Sequence, residues 1–91
     1  MELKELRCRI DEIDDQLIKL FVLRMEVSAQ VAAYKKEHQL PIFVPAREQE
    51  KLNDVAQKAG PEMADYTKAL YGAIFELSRS YQSKLMDEDV G

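Results

Sequence analysis

The stretch VPAREQEKL, residues 44–52, sets Arg47 beside Glu48 at a helix entry opened by Pro45. The free amides of a helix start carry a partial positive charge, which suits Glu48 and leaves Arg47 misplaced. A second cation sits where an apolar side chain belongs: on the seam of the first helical segment, between Leu20 and Val27, stands Arg24. A buried arginine is costly unless something pairs with it. Eleven residues on, Lys35 returns to within about 20° of the Arg24 direction and lies about 16 Å further along the axis. Two long cations thus face one side across a gap the size of a small molecule. Later in the chain Ser78 and Gln82, four apart, stack on one helical face beside Ile74 and Tyr81. Together these side chains describe a cationic, amide-bearing site with no obvious acid, base or nucleophile.

Each has a plainer reading. Arg24 reaches the surface or meets a core carboxylate, Lys35 is exposed beside Lys36, Ser78 and Gln82 decorate a helix, and the Arg47–Glu48 pair is a surface accident. The acids Asp11, Glu12, Asp14 and Asp15 read as the solvated side of the first helix. His38, the single histidine, has no second ligand at metal-binding spacing. Cys8 has no histidine partner that would make it a nucleophile. No Gly-rich phosphate loop and no Ser-His-Asp set is present. No metal and no cofactor is expected.

Three helices must position these residues. Leu3, Leu6, Ile10, Ile13, Leu17, Leu20, Val27 and Val31 recur at steps of three and four, and no Gly or Pro occurs from Met1 to Leu40. One helix of roughly 35 residues and ~50 Å is implied. In HQLPIFVP the prolines at 41 and 45 break it, since the residue before each is pushed out of the α region. The second helix starts near Pro45 and stops at AGP, where Gly60 can take a left-handed cap and Pro61 cannot continue. The third runs from about Glu62 to Met86, with Met63, Tyr66, Leu70, Ile74, Leu77, Tyr81 and Leu85 as its buried stripe.

Composition agrees with an all-α fold. Ninety-one residues suffice for one modest core, and 46% hydrophobic, 33% charged, three Gly and three Pro describe a helix-rich chain. A net charge of -4 speaks against a nucleic-acid surface. The lone cysteine forms no internal disulfide, and no apolar run reaches the ~20 residues of a membrane span. A cytoplasmic protein that touches neither nucleic acid nor membrane is the expectation. Residues 1–86 form the expected domain, and 87–91 read as a solvated tail or a linker remnant.

The stretches LRCRIDEIDDQLIKLFVLR, VAAYKKEHQLPIFVPAREQEKL and IFELSRSYQ resemble the three helices of the all-helical (type II) chorismate mutases. The resemblance covers about Leu3 to Leu85, with the arginine, lysine, Arg-Glu and Ser-x-x-x-Gln positions in order. It implies rearrangement of chorismate to prephenate, the branch step toward phenylalanine and tyrosine, in an intertwined homodimer of one very long, one short and one medium helix. It also implies a site made of Arg7, Arg24, Lys35, Arg47, Glu48, Ser78 and Gln82. The arginines would clamp the two carboxylates, for which the planar guanidinium fork is suited. Glu48 would accept the ring hydroxyl, Lys35 and Gln82 would donate to the ether oxygen, and Ser78 would assist at a carboxylate. Arg7 would come from the other subunit. Some members carry an acid three positions before the Arg-Glu pair, where this chain has Val44.

Three other readings compete with this one. An isochorismate-pyruvate lyase would use a similar cationic pocket, although Glu48 beside Arg47 and the ELSRSYQ stretch look like the mutase. A helical dimerisation module would use seam polar residues to set register. A regulatory domain would keep the pocket without turnover. The pattern fits equally a single-domain enzyme and the mutase part of a bifunctional protein.

Overall fold

The computed structural model describes residues 1–90, with side chains through 87. Its elements are α1 (Leu3–Glu37), α2 (Pro45–Ala59) and α3 (Ala64–Val90), with no strand among the described residues. α1 is an unbroken 35-residue helix, about 52 Å long at 1.5 Å per residue. Lys35 and Lys36 in its last turn suit the negative end of the helix dipole.

α1 stops through its backbone before Pro41 is reached. The Gln39 N–H donates to the Lys36 carbonyl at 3.3 Å and the Leu40 N–H to the Lys35 carbonyl at 2.8 Å. These are the two bonds of a Schellman cap, and they require the residue after the cap to be left-handed. Gln39 takes that conformation, with φ 56°, although a side chain there is strained where glycine is not. His38 closes the same end, its Nδ1–H donating to the Tyr34 carbonyl at 2.9 Å while the ring stacks on Tyr34.

α2 begins with Pro45 in its first turn, and the Val44 carbonyl accepts from the N–H groups of Arg47 and Glu48. It ends at Gly60, whose φ of 86° and ψ of 163° are extended rather than the left-handed helical values expected from the sequence. Pro61 explains the difference, because its ring forbids helical ψ at the residue before it. A positive φ with ψ near 160° is nearly exclusive to glycine. α3 then runs past Met86, where the sequence reading ends it, and continues to Val90. The expected tail at 87–91 is therefore helical as far as Val90, and Gly91 lies outside the described residues.

α3 is the element on which both other helices pack. Its packed face is centred on Phe75, Ser78 and Gln82, all buried. That face is not the stripe expected from apolar periodicity: Met63, Tyr66, Leu70 and Leu77 are exposed, while Ile74, Tyr81 and Leu85 are half-buried. The α1 seam is likewise open, with Leu17 at 52% and Leu20 at 64% exposure. Apolar spacing identifies a face that avoids water, not the chain that covers it. The Cα radius of gyration is 16.4 Å, against about 12 Å for a compact globule of this length. Among the described residues no helix is long and apolar enough to cross a membrane.

The two backbone ends give opposite expectations. Gln39→Gly should raise stability by about 0.5–1 kcal/mol by removing the left-handed penalty, and Gly60→Ala should lower it by about 1–3 kcal/mol. A Cβ at Gly60 meets nothing within 4 Å, so the loss there is conformational. Urea unfolding at one fixed protein concentration reads both, and shifts of the same sign would contradict the assignment.

Candidate active site

One cleft of about 430 Å³ gathers side chains from all three helices and the connection before α2. α1 contributes Arg24, Ser28, Val31 and Lys35, a run at steps of four, three and four that keeps one helical face toward the cleft. Ile42 and Val44 come from the connection, Arg47, Glu48 and Lys51 from the first turns of α2, and Phe75, Ser78, Arg79 and Gln82 from α3. The volume lies in the range of small-molecule sites. Five cations face one carboxylate there, although the chain as a whole carries -4.

How those cations are held decides what the cleft can do. Arg24 Nη1 donates to the Ser78 hydroxyl at 3.2 Å, and its guanidinium carbon lies 5.9 Å from the Tyr71 ring centre and 5.8 Å from that of Phe75. Ser28 and Ser78 share a hydrogen bond at 2.9 Å, which fixes the hydroxyl that Arg24 uses. Among the described residues no carboxylate pairs with Arg24. Lys35 Nζ donates to the Ile42 carbonyl at 2.9 Å, again a neutral acceptor. Neutral oxygens and ring faces orient these cations without cancelling their charge. Both remain available to an anion.

The α2 cations are placed differently. Arg47 lies 3.6 Å from Glu50 with 63% of its side chain exposed. Lys51 lies 3.4 Å from Asp54. The ammonium of Lys58, and then that of Lys51, hold the Asp54 carboxyl below the usual carboxylate range. Glu48 is engaged by Arg79, whose Nη1 donates to both carboxylate oxygens. Gln82 is only 7% exposed and lines the cleft. Its amide makes no hydrogen bond to another described residue, so its donors and its acceptor are open to whatever occupies the cleft.

Six of the seven residues expected from the sequence therefore meet: Arg24, Lys35, Arg47, Glu48, Ser78 and Gln82. Arg7 does not line this cleft and stands exposed near the far end of α1. Val44 lines the cleft with an apolar side chain where some family members have an acid. Sequence reasoning missed Ser28, Lys51 and Arg79. Ser28 carried a signal, being a small polar residue four after Arg24 on the same face. Among the described residues no three His, Cys, Asp or Glu side chains group to hold a metal ion, and Cys8 is exposed.

The fold and the cleft describe an all-helical domain with a cationic, amide-lined cleft of a kind suited to an anion, and comparison with known proteins gives it a family. Residues 6–83 match the family model for chorismate mutase type II. The chain belongs to that family. A T-protein of Haemophilus influenzae is 50% identical over 46 residues, which are 50% of this chain and 12% of the relative. A bifunctional chorismate mutase/prephenate dehydratase of Aquifex aeolicus is 34% identical over 74 residues, 81% of this chain and 18% of that protein. A T-protein of Enterobacter agglomerans is 45% identical over 47 residues, 52% of this chain and 13% of the relative. The chain thus spans less than a fifth of the length of these curated relatives.

Arg24 and Lys35 carry the un-neutralised charge, so their loss should be felt most. Arg24→Ala and Lys35→Ala should each lower kcat/KM for the rearrangement proposed for this domain by roughly 10² to 10³ while leaving the helical circular dichroism intact. A loss below tenfold in both would return them to surface cations.

Proposed function

We propose that this domain rearranges chorismate to prephenate in a cleft completed by Arg7 of a second copy. The observation that carries the proposal is the pairing of two cations held only by neutral groups, Arg24 and Lys35, with the open amide of Gln82 in one cleft. Chorismate is a dicarboxylate with a ring hydroxyl and an ether bridge. Arg24, Arg47 and the second copy's Arg7 suit the carboxylates, Ser78 supports one of them, and Glu48 accepts the hydroxyl. Lys35 and Gln82 donate to the ether oxygen.

The reaction is concerted. The ether C–O bond breaks as the new C–C bond forms within one molecule, and no proton is transferred. Catalysis then consists of holding a compact conformer and stabilising the negative charge that gathers on the ether oxygen as its bond lengthens. Fixed cations and amide donors do both. An isochorismate-pyruvate lyase would also use such cations, and product analysis on chorismate and isochorismate separates the two. Activity detected only on isochorismate would overturn the proposal.

The second copy has its own support. The apolar seam of α1 is open over most of its length, and α3 exposes a second apolar stripe. Arg7 is 28 residues before Lys35, about 42 Å away on a straight helix, and points roughly 100° from the Arg24 direction. It reaches a cleft of this kind only across a two-fold axis, on another copy. A dimer of this sort has two equivalent sites, each taking Arg7 from one chain and the rest from the other.

Two tests follow from these roles. An amide donates at any pH, whereas a carboxyl donates only when protonated and a free Glu loses its proton near about 4.3. Gln82→Glu should therefore keep kcat in acid and lose it as pH rises, while the parent stays nearly flat from about pH 5 to 8; matching profiles would remove Gln82 from the ether. In the second test, Arg7→Ala and Arg24→Ala chains, each nearly inactive, are unfolded together in equal amounts and refolded. About half the dimers should be mixed and roughly a quarter of all sites restored, because one site in each mixed dimer draws both intact arginines. Activity no greater than the sum of the two variants, with mixed dimers shown by mass spectrometry, would rule out the shared site.

A further inference from the structure

Arg79 stands one residue after Ser78 on α3, about 60° around the helix from Gln82, and lines the same cleft. Its Nη1 bridges both oxygens of Glu48, and its guanidinium carbon lies 4.8 Å from the centre of the Phe43 ring. The pair is partly withdrawn from water, with 31% of the Arg79 side chain and 22% of that of Glu48 exposed. Every other cation of the cleft is engaged elsewhere: Arg24 with Ser78, Lys35 with the Ile42 carbonyl, Arg47 with Glu50 and Lys51 with Asp54.

We infer that Arg79 is a positioning residue for Glu48, holding its carboxylate in one orientation in the cleft so that it accepts the substrate hydroxyl without first being ordered. The inference rests on the reading of Glu48 as that acceptor. A carboxylate has about four lone-pair sites, and a single bridging nitrogen leaves some of them for a hydroxyl. Phe43 holds the guanidinium from the connection before α2 while α3 supplies its backbone, so the clamp is fixed at both ends before substrate arrives. Without Arg79 the Glu48 side chain regains its rotamers, and binding must then order it again. The hydroxyl is unchanged between ground and transition states. An acceptor aimed at it binds both alike, and its loss is read mainly in KM.

Arg79→Met keeps the length and apolar contact of the side chain and removes its charge. It should raise KM about tenfold and change kcat less than about threefold. Arg79→Lys restores a cation and should return KM to within about threefold of the parent. Glu48→Gln should raise KM by itself, and adding Arg79→Met to it should cost little more, because a residue that acts through another has no effect once that other is gone. Urea midpoints and the dimer mass of all four variants confirm that folded dimers are being compared. If Glu48→Gln raises KM and Arg79→Met leaves kcat/KM within twofold of the parent, the acceptor role of Glu48 stands and the positioning role falls. Losses that multiply in the double variant would overturn it too, by making Arg79 a direct contact of the substrate. An Arg79→Lys variant no better than Arg79→Met would count against holding by charge. A Glu48→Gln variant indistinguishable from the parent would overturn the acceptor role and the positioning role together.

Discussion

The arrangement of this domain turns on the guanidinium of Arg24, which is kept on the packed side of α1 without a carboxylate partner among the described residues. A charge so placed is costly unless it is paired or hydrogen-bonded. Here the Ser78 hydroxyl accepts from it and the rings of Tyr71 and Phe75 lie beside it. Those three residues span two turns of α3, so the helix that neutral groups need for holding Arg24 is the same helix that packs both α1 and α2. Ser28 completes the arrangement by bonding Ser78 from α1 itself. The charge stays uncancelled, and the fold is what keeps it so.

Lys35 repeats this arrangement three turns away with a different acceptor. The Ile42 carbonyl lies in the connection between α1 and α2, and that connection exists because the helix ends in a Schellman cap at Gln39. Backbone termination thus becomes site geometry. The chain turns back just after Lys35, and the turn presents a carbonyl within reach of its ammonium. Glu48 is the contrasting case, a carboxylate tied to Arg79 rather than left to the free cations. Had it met Arg24 or Lys35, the cleft would have lost part of the field that an anion finds there.

What was readable in the sequence divides along physical lines. α1 was legible because nothing in the chain's first forty residues breaks a helix, and Arg24 because it interrupts a stripe. Lys35 followed from helical angle alone. Arg79 was not legible, since an arginine at the edge of a helix face reads as surface until a carboxylate from another helix is brought to it. Gln39 gave no sign either, because glycine or asparagine is the usual mark of a left-handed cap and glutamine is not. The α3 stripe was legible as apolar and misread as covered: Tyr66 and Leu70 avoid water by type, yet Phe75 and Ser78 hold the packed face. For Gly60 the positive φ was legible and the ψ was not, although Pro61 next to it carried the information.

The two duties of α1 are separated by length rather than by face. Counting back from Arg24 in steps of three and four gives Leu20, Leu17, Ile13, Ile10, Leu6 and Leu3, and counting forward gives Ser28, Val31 and Lys35. The forward third is met by α3 and lines the cleft, whereas the backward two thirds is apolar and open. Burying one Leu or Ile is worth about 1.5–3 kcal/mol, so that open run is a strong drive for association. A straight helix cannot turn its ends independently. The face that lines the cleft from Arg24 to Lys35 is therefore continued by the apolar run toward the N-terminus. One 35-residue helix thus carries both the side chains that line the cleft and an apolar run that α3 leaves uncovered.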